Sequence, residues 1–549
     1  MSKFDLIMIN GNILTLDDHD TIAGSVAVKN GCITEIWPQR NPPIDIAKLS
    51  DETEVIDLKG DTLIPGFIDT HNHILQFSQL QGKVNCSSPL NKNINDILSN
   101  LASKVAETPK GEWVTGFGYD DTLLEDYRHP ERKDLDKVSP EHPVMIQHIS
   151  GHIEVVNSKA IELAGISEST PVSKGGSFGF DNKGILNGVL YERPAIDYIY
   201  AILPKDTEET LIKKMEKASK HYLSQGITTN TDAGVGTTLG EIEFDIHVKA
   251  AQQGVNPIRT RLMIFHTLLR ENAKFGNYTA EELDVYIKEQ TNELIELDSA
   301  KLFQDGSIQG LTGALRKPYH CDSSIFGELM FDQEQFNEEV LALHKRGFRI
   351  AVHGNGDRAI GSILEAYDKA LQRYPKKDHR HRIEHAQTAT NEDLDKIQEL
   401  GVAASFFINH VYYWGDRHKN IFLGEDRANR MNPLSEAVGR NLLFTLHSDC
   451  PITPISPLFS IWTAVNRVTR EGRLLGANQR CDVKTALKAM TIYGAKLNFS
   501  QERTGSIEVG KYADFAVLDR DPIQVDPMEI KNINVLKTII GGKMVFEKF

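Results

Sequence analysis

The sequence predicts a (β/α)8 barrel with a small β-sandwich domain and one large insertion. Three observations predict this fold. Eight short apolar runs alternate with segments of helical periodicity between Pro65 and Ser500. Both ends of the chain are rich in short strand-like runs joined by Asn-Gly and Lys-Gly turns. A long stretch with its own strand-like pieces separates the first apolar run from the second.

The predicted barrel strands are the eight apolar runs. They cover residues 63–73, 226–234, 261–265, 299–307, 349–357, 381–387, 402–407 and 442–449. Strands that alternate with helices form parallel βα units, and eight such units close into a barrel. A doubly wound open sheet is the alternative, but no G-x-G-x-x-G after a strand supports it.

The domain boundaries follow from these runs. We expect a β-sandwich domain from residues 1–64 and 500–549, and a barrel over 65–499. Residues 75–225 are far too many for one βα connection, so we expect an inserted subdomain there, after barrel strand 1.

Composition and charge narrow the class of protein. The 549 residues contain 61 Lys and Arg against 76 Asp and Glu, which gives a net charge of −15. This surplus of negative charge argues against nucleic acid or an anionic membrane as partner. With no signal peptide, no membrane-length apolar run and five scattered cysteines, we expect a cytoplasmic protein with reduced thiols. The expected partner is a small-molecule substrate. The oligomeric state stays open, with a homodimer as one option.

Polar residues at the ends of the predicted strands indicate the site. They are His71, His73, His353, His385 and Asp449, and Lys301 within predicted strand 4 joins them as a candidate. Residues two apart on a strand point the same way, so both histidines of the His-x-His pair can face the barrel mouth. Imidazoles with a carboxylate form a nitrogen and oxygen ligand set for Zn²⁺ or another first-row divalent ion.

Each of these residues also has an ordinary structural interpretation. A lone histidine at a strand end is more often hydrogen-bonded than a metal ligand, and His-x-His alone does not decide between the two. Lys301 has an ion pair with Asp305 as its alternative role. The joint occurrence of such residues at the ends of strands 1, 5, 6 and 8 favours a metal site.

Several motifs resemble those of the amidohydrolase superfamily. The motifs are LIPGFIDTHNHI, GITTNTDAG, HRIEHAQ, LHSDCP and GSIEVGKYADFAVLD. The insertion, together with SAKLFQDGS, RIAVHGNGDRAI and HPVMIQHISGHIEVVNSKA, resembles the branch that includes N-substituted formamide deformylases. The match spans nearly the whole chain in the expected order.

The resemblance implies a divalent metal centre at the barrel mouth. His71, His73, His353, His385 and Asp449 match the superfamily's metal ligands, and Lys301 matches a lysine that is carboxylated in related enzymes and bridges two metals. Zn²⁺ is the expected metal, as one ion or two, with Mn²⁺ or Fe²⁺ as alternatives.

The implied activity is hydrolysis of a non-peptide C–N bond, in an amide or an N-formyl or N-acyl compound. A metal-activated hydroxide would attack the carbonyl, and Asp449 would act as proton shuttle. A heterocycle deaminase is one alternative, and a non-catalytic ligand-binding protein is another.

Four further residues outside this ligand set are given roles. His410 follows strand 7, which makes it a candidate for substrate binding at the barrel mouth. His152 and Glu192 match recurrent positions of the branch, which suggests contact with substrate, with structural hydrogen bonding as the alternative. Arg382 is interpreted as the anchor of a loop.

Overall fold

The computed structural model describes residues 4–45, 49, 52–88 and 90–548. The chain divides into two compact units. One unit comprises residues 1–79 and 211–549, and the other comprises residues 80–210. Among the described residues, no helix combines the length and the apolar character needed to cross a bilayer.

The first unit contains a parallel (β/α)8 barrel, which confirms the predicted fold class. Its eight strands follow one another around the sheet in chain order. We number them barrel strands 1 to 8: Phe67–Asn72, Ile227–Val235, Arg259–Phe265, Ile295–Phe303, Ile350–Gly354, Arg382–His385, Ala403–Phe406 and Phe444–Leu446.

Strands 1 and 8 close the barrel through side-chain and backbone contacts. The hydroxyls of Thr70 and Thr445 lie 2.8 Å apart, and the Asp449 N–H donates to the His71 carbonyl at 3.1 Å. Closure therefore brings the end of strand 1 beside the end of strand 8, although they are separated by almost four hundred residues of sequence.

Helices cover the outside of the barrel because their apolar faces complete its core. Ala280–Thr291 shows how one of them is delimited. A Thr279–Glu282 capping box begins it, and left-handed Asn292 ends it. The helices of this unit are Ile74–Gln79, Glu208–Ser224, Ile242–Gln252, Ala280–Thr291, Gln333–Lys345, Asp357–Arg373, Asn391–Leu400, His410–Arg417, Glu425–Arg430, Leu434–Gly439, Pro457–Asn466, Val483–Ala489 and Ile492–Leu497. Short 3₁₀ turns cover His266–Leu269, Ala477–Gln479 and Pro527–Asn532, and a π-helical turn covers His418–Phe422.

Both ends of the chain build the β-sandwich. One sheet has four strands, in the spatial order Cys32–Trp37, Ser25–Lys29, Leu6–Ile9 and Glu54–Asp57. The other has six, in the order Lys543–Glu547, Val535–Ile540, Phe515–Leu518, Thr62–Pro65, Asn12–Leu14 and Ile22–Ala23.

Gly66 joins the sandwich strand Thr62–Pro65 to barrel strand 1. A Cβ atom at this position would lie 2.2 Å from the side chain of Thr228. The chain therefore needs glycine where it passes from one sheet into the other.

The second unit is an α/β structure with its own apolar core. Its six-stranded sheet has the spatial order Ser177–Phe180, Leu186–Tyr191, Ile153–Val156, Val144–His148, Val114–Tyr119 and Val84–Asn85. Its helices are Ile94–Glu107, Arg132–Leu135, Ser158–Leu163 and Glu192–Tyr200.

Candidate functional site

The His-x-His pair meets Asp449 at the carboxyl ends of the barrel strands. The Asp449 Oδ1 atom lies 3.3 Å from His71 Nε2 and 3.2 Å from His73 Nε2. Two imidazoles and one carboxylate oxygen at this spacing form a group able to hold a metal ion. Burial alone would raise the pKa of Asp449. The neighbouring His71 and His73 outweigh burial and hold that pKa well below its usual value, so the carboxylate is ionised.

A second pair of imidazoles lies at the ends of strands 5 and 6. His353 Nδ1 and His385 Nε2 face each other at 3.0 Å. Burial lowers the pKa of His353 to about 3, so its ring is neutral and carries one proton. In the tautomer that donates Nε2–H to the Gly306 carbonyl, 3.1 Å away, the Nδ1 lone pair faces His385 and is free to bind a cation.

Lys301 extends from strand 4 and is fully buried. Its Nζ atom has no hydrogen-bond partner among the described residues. Burial lowers the pKa of this lysine to about 8, against the nearby charges of Glu384 and Asp449, which raise it. An unpartnered ammonium in a protein interior is costly, whereas a neutral amine there can react.

The alternative role for Lys301, an ion pair with Asp305, does not occur. Asp305 accepts hydrogen bonds from the backbone N–H groups of Ala314, Asn355 and Gly356 at 2.9, 3.0 and 2.7 Å. The carboxylate of Asp305 therefore joins the loops that follow strands 4 and 5.

A layer of buried charges lies beneath the strand ends. The Glu384 carboxylate pairs with Nδ1 of His71, which leaves Nε2 of that ring free to face Asp449. Arg382 pairs with Glu384 at 2.5 Å and with Asp298 at 3.0 Å. Burial would raise the pKa of Glu384, but Arg382 and His71 hold it well below the usual value.

The interpretation of Arg382 as a loop anchor is wrong. The residue begins strand 6, is fully buried and lies between two carboxylates inside the barrel. The short pattern Arg-x-Glu does place two side chains on one face of a strand, so it could have indicated an internal ion pair.

Asp69 fixes the approach of strand 1 to the loop after strand 8. Its carboxylate accepts from the Ser448 hydroxyl at 2.7 Å and from the His71 N–H at 3.1 Å. These bonds hold His71 near Asp449, which follows Ser448 directly. Asp69 is a positioning residue that the sequence pattern did not single out.

Two ligand candidates occupy left-handed backbone. His385 has φ +71° and Asp449 has φ +53°. The side chains of Arg382 and Glu384 lie inside the barrel. If side chains continued to alternate along the strand, the side chain of His385 would point outward. The left-handed turn instead directs its ring toward His353 and His71. Non-glycine residues in this region are strained, and such strain concentrates at functional sites.

His410 begins the helix after strand 7, close to this cluster. Its ring centroid lies 6.3 Å from that of His385, and its Nδ1 has no hydrogen-bond partner among the described atoms. Burial lowers the pKa of His410 to about 3, so the ring is neutral. The position agrees with a barrel-mouth residue, while a role in substrate binding stays a prediction.

His152 and Glu192 belong to the second unit and contact each other. His152 Nδ1 lies 2.9 Å from a Glu192 carboxylate oxygen, and both side chains are at least half exposed. Their role in substrate binding stays a prediction.

Comparison with known proteins agrees with this geometry. The profile of the amidohydrolase family matches residues 54–546. An N-substituted formamide deformylase of Arthrobacter pascens is 27% identical over 549 residues, covering 99% of this chain and 98% of the relative. A 5'-deoxyadenosine deaminase of Methanobrevibacter smithii is 35% identical over 106 residues, covering 19% of this chain and 23% of the relative.

A solved structure is similar over nearly the whole chain. It is an uncharacterized metal-dependent hydrolase from Pyrococcus furiosus, with a TM-score of 0.73 and 25% identity, and the match covers 94% of this chain and 100% of the other. Together with the barrel and its cluster of histidines and aspartate, these likenesses settle the family. The chain belongs to the amidohydrolase family and is a hydrolase that acts on carbon–nitrogen bonds other than peptide bonds.

Proposed function

We propose that the chain hydrolyses an amide bond of a small molecule, in an N-acyl or N-formyl compound, at a divalent metal centre. The observation that carries the proposal is the convergence of His71, His73 and Asp449 on one point beside the buried, unpartnered Lys301. Family members are metal-dependent, and this donor set suits Zn²⁺, with Mn²⁺ or Fe²⁺ as alternatives.

The residues present fit such a centre. His71, His73 and Asp449 would hold one part of it, and His353 with His385 would hold the other, and a carboxylated Lys301 would add oxygen donors. A divalent cation held there would lower the pKa of a bound water to about 7 and polarise the carbonyl oxygen of the substrate. Lys301 meets the requirement for carboxylation, because its amine is buried and its pKa is lowered to about 8.

Asp449 would move the proton in this reaction. Its carboxylate is ionised, so it can accept a proton from the attacking water and then donate it to the nitrogen that leaves. Water adds to the carbonyl carbon, the C–N bond breaks, and the products are a carboxylic acid and an amine. Asp69 and Ser448 hold this part of the chain in position during both transfers.

The local likeness to a 5'-deoxyadenosine deaminase supports heterocycle deamination as a second candidate. Deaminases of the superfamily usually work with one metal and do not need the lysine of strand 4. The buried Lys301 therefore favours amide hydrolysis. A non-catalytic ligand-binding protein is disfavoured, because all six predicted ligand positions carry side chains that can bind a metal.

A substrate panel on metal-reconstituted protein tests the proposal. N-formyl, N-acyl and cyclic amides are assayed for release of amine, and adenine and related heterocycles are assayed for release of ammonia. We expect turnover among the amides and none among the heterocycles. Asp449→Asn should lower that turnover by about 10²- to 10⁴-fold, while Asp426→Asn, at an exposed position, should not change it. Turnover confined to the heterocycles would establish the deaminase instead.

A further inference from the structure

His447 lies behind the ring of His385, at the carboxyl end of strand 8, and is fully buried. Its Nε2 atom lies 3.1 Å from His385 Nδ1, and its Nδ1 atom lies 2.8 Å from the hydroxyl of Ser405. Its ring also stacks on that of His71, with centroids 4.6 Å apart and planes at 19°. Both ring nitrogens are therefore in contact with polar atoms in the barrel interior.

The chain of contacts continues into a buried cluster of hydroxyls. Ser405 Oγ lies 3.1 Å from Thr445 Oγ1, which lies 2.8 Å from Thr70 Oγ1. All three side chains are fully buried, and they come from strands 7, 8 and 1. His447 is thus the link between a ligand candidate and the side chains that close the barrel.

We infer that His447 is a positioning residue that prepares His385 to bind metal. In this arrangement, His385 Nδ1–H donates to His447 Nε2, and His447 Nδ1–H donates to Ser405 Oγ. The proton on Nδ1 leaves Nε2 of His385 unprotonated, which is the form that binds a cation. The inference rests on the metal centre of the proposed function and assigns the tautomer of one of its ligands.

His71, His385 and His447 also offer ligand atoms within 4.8 Å of one another, but the nitrogens through which His385 contacts its neighbours favour a positioning role for His447 over direct ligation. His385 contacts His353 through Nε2 and His447 through Nδ1, which are different nitrogens of the same ring. An ion bound to Nε2 of His385 therefore does not meet Nε2 of His447, because that atom faces Nδ1 of His385. Simple core packing is also a poor account, because an apolar side chain would leave His385 Nδ1 and Ser405 without these contacts.

Metal affinity of three variants tests the inference. Zn²⁺ binding to metal-free protein is measured by competition with a chromophoric chelator, without any substrate. His447→Leu should weaken binding by about 10- to 100-fold, the usual effect of losing a partner of a metal-bound histidine. His447→Gln should recover most of this loss, because an amide can accept from His385 and donate to Ser405.

His344→Gln is the matched control. His344 Nδ1 lies 2.9 Å from His381 Nε2, so this variant also breaks a buried contact between two histidines, away from the candidate ligands. It should lower thermal stability and leave Zn²⁺ affinity within about threefold. Co²⁺ absorption provides a second readout, because a reoriented His385 changes the visible spectrum in His447→Leu and not in His344→Gln.

The outcomes separate this inference from the proposed function. If the wild-type protein binds no metal, both this inference and the proposed function are contradicted. If wild-type protein binds Zn²⁺ tightly and His447→Leu binds it equally well, the role of His447 alone is overturned. The same conclusion follows if His447→Gln binds Zn²⁺ as weakly as His447→Leu. If His447→Leu does not fold, Ser405→Ala replaces it. This variant should then weaken binding severalfold, and unchanged affinity overturns the inference.

Discussion

Removal of Arg382 should destabilise the barrel. The guanidinium is fully buried between two carboxylates, 3.0 Å from Asp298 and 2.5 Å from Glu384. Removing one partner of a buried ion pair costs about 3–5 kcal/mol, because a charge is left without compensation in a medium of low polarity. Arg382→Met fills much of the same volume and isolates the loss of charge.

The structure indicates that the decrease in the free energy of unfolding lies toward the lower end of that range. Asp298 keeps its ion pair with Arg349, and Glu384 keeps its contact with His71. Neither carboxylate is left wholly unpaired, so we expect a decrease of about 3 kcal/mol in the free energy of unfolding. Domains are stable by about 5–15 kcal/mol, so this is a large fraction of the total.

Urea denaturation followed by tryptophan fluorescence measures the change. Trp462 is buried in the helix Pro457–Asn466, and its emission reports on the barrel unit. Arg382→Lys keeps the charge but lacks the planar fork that meets two carboxylates, so it should recover only part of the stability. Arg373→Met, at an exposed helix end, should change the free energy by less than about 0.5 kcal/mol. The same small change in Arg382→Met would refute the reasoning about buried charge.

Three other predictions follow from the site and the histidine cluster of the barrel. Asp449→Asn should lower kcat by about 10²- to 10⁴-fold, because the amide cannot transfer the proton, and a retained kcat in steady-state assays would exclude the shuttle. Lys301→Met should lower the metal content and remove any carboxylation seen by intact mass spectrometry, whereas unchanged metal content would show that the lysine does not bridge. Burial holds the pKa of His381 well below the usual histidine value of 6.5, so the unfolded chain binds more protons below that pH. The His381 contribution to stability is therefore present above pH 6.5 and is lost as the pH falls. His381→Gln should flatten the pH dependence of the urea midpoint below pH 6.5, and an unchanged slope would contradict this.

Much of the fold and the ligand candidates could be predicted from the sequence. Each barrel strand is a short apolar run, and the spacing of apolar residues indicates which side chains are buried. The strand-end residues could also be predicted, because parallel strands bring their carboxyl ends to one face. His71 and Asp449 illustrate this, since they meet at 3.3 Å although 378 positions separate their residue numbers.

The charged layer beneath the site could not be predicted in the same way. Glu384 lies inside a predicted strand and Asp298 lies just before one, and a sequence does not show which strand-to-strand pairs will neutralise a buried charge. The prediction of Arg382 as a loop anchor is wrong for this reason, because its partners depend on register across the barrel. The left-handed turn at His385 and Ala386 also lacks a sequence signal, since it contains no glycine and alanine rarely adopts positive φ.

Metal analysis of the purified protein is the most direct test of the metal centre. The protein is expressed without added chelator, its metals are counted by elemental analysis, and C–N bond hydrolysis is measured before and after removal of metal. The structure predicts at least one equivalent of divalent metal per chain, loss of activity on chelation, and recovery with Zn²⁺ or Mn²⁺. Full hydrolytic activity in protein with well under one equivalent of metal would contradict the assignment of His71, His73, His353, His385 and Asp449 as ligands.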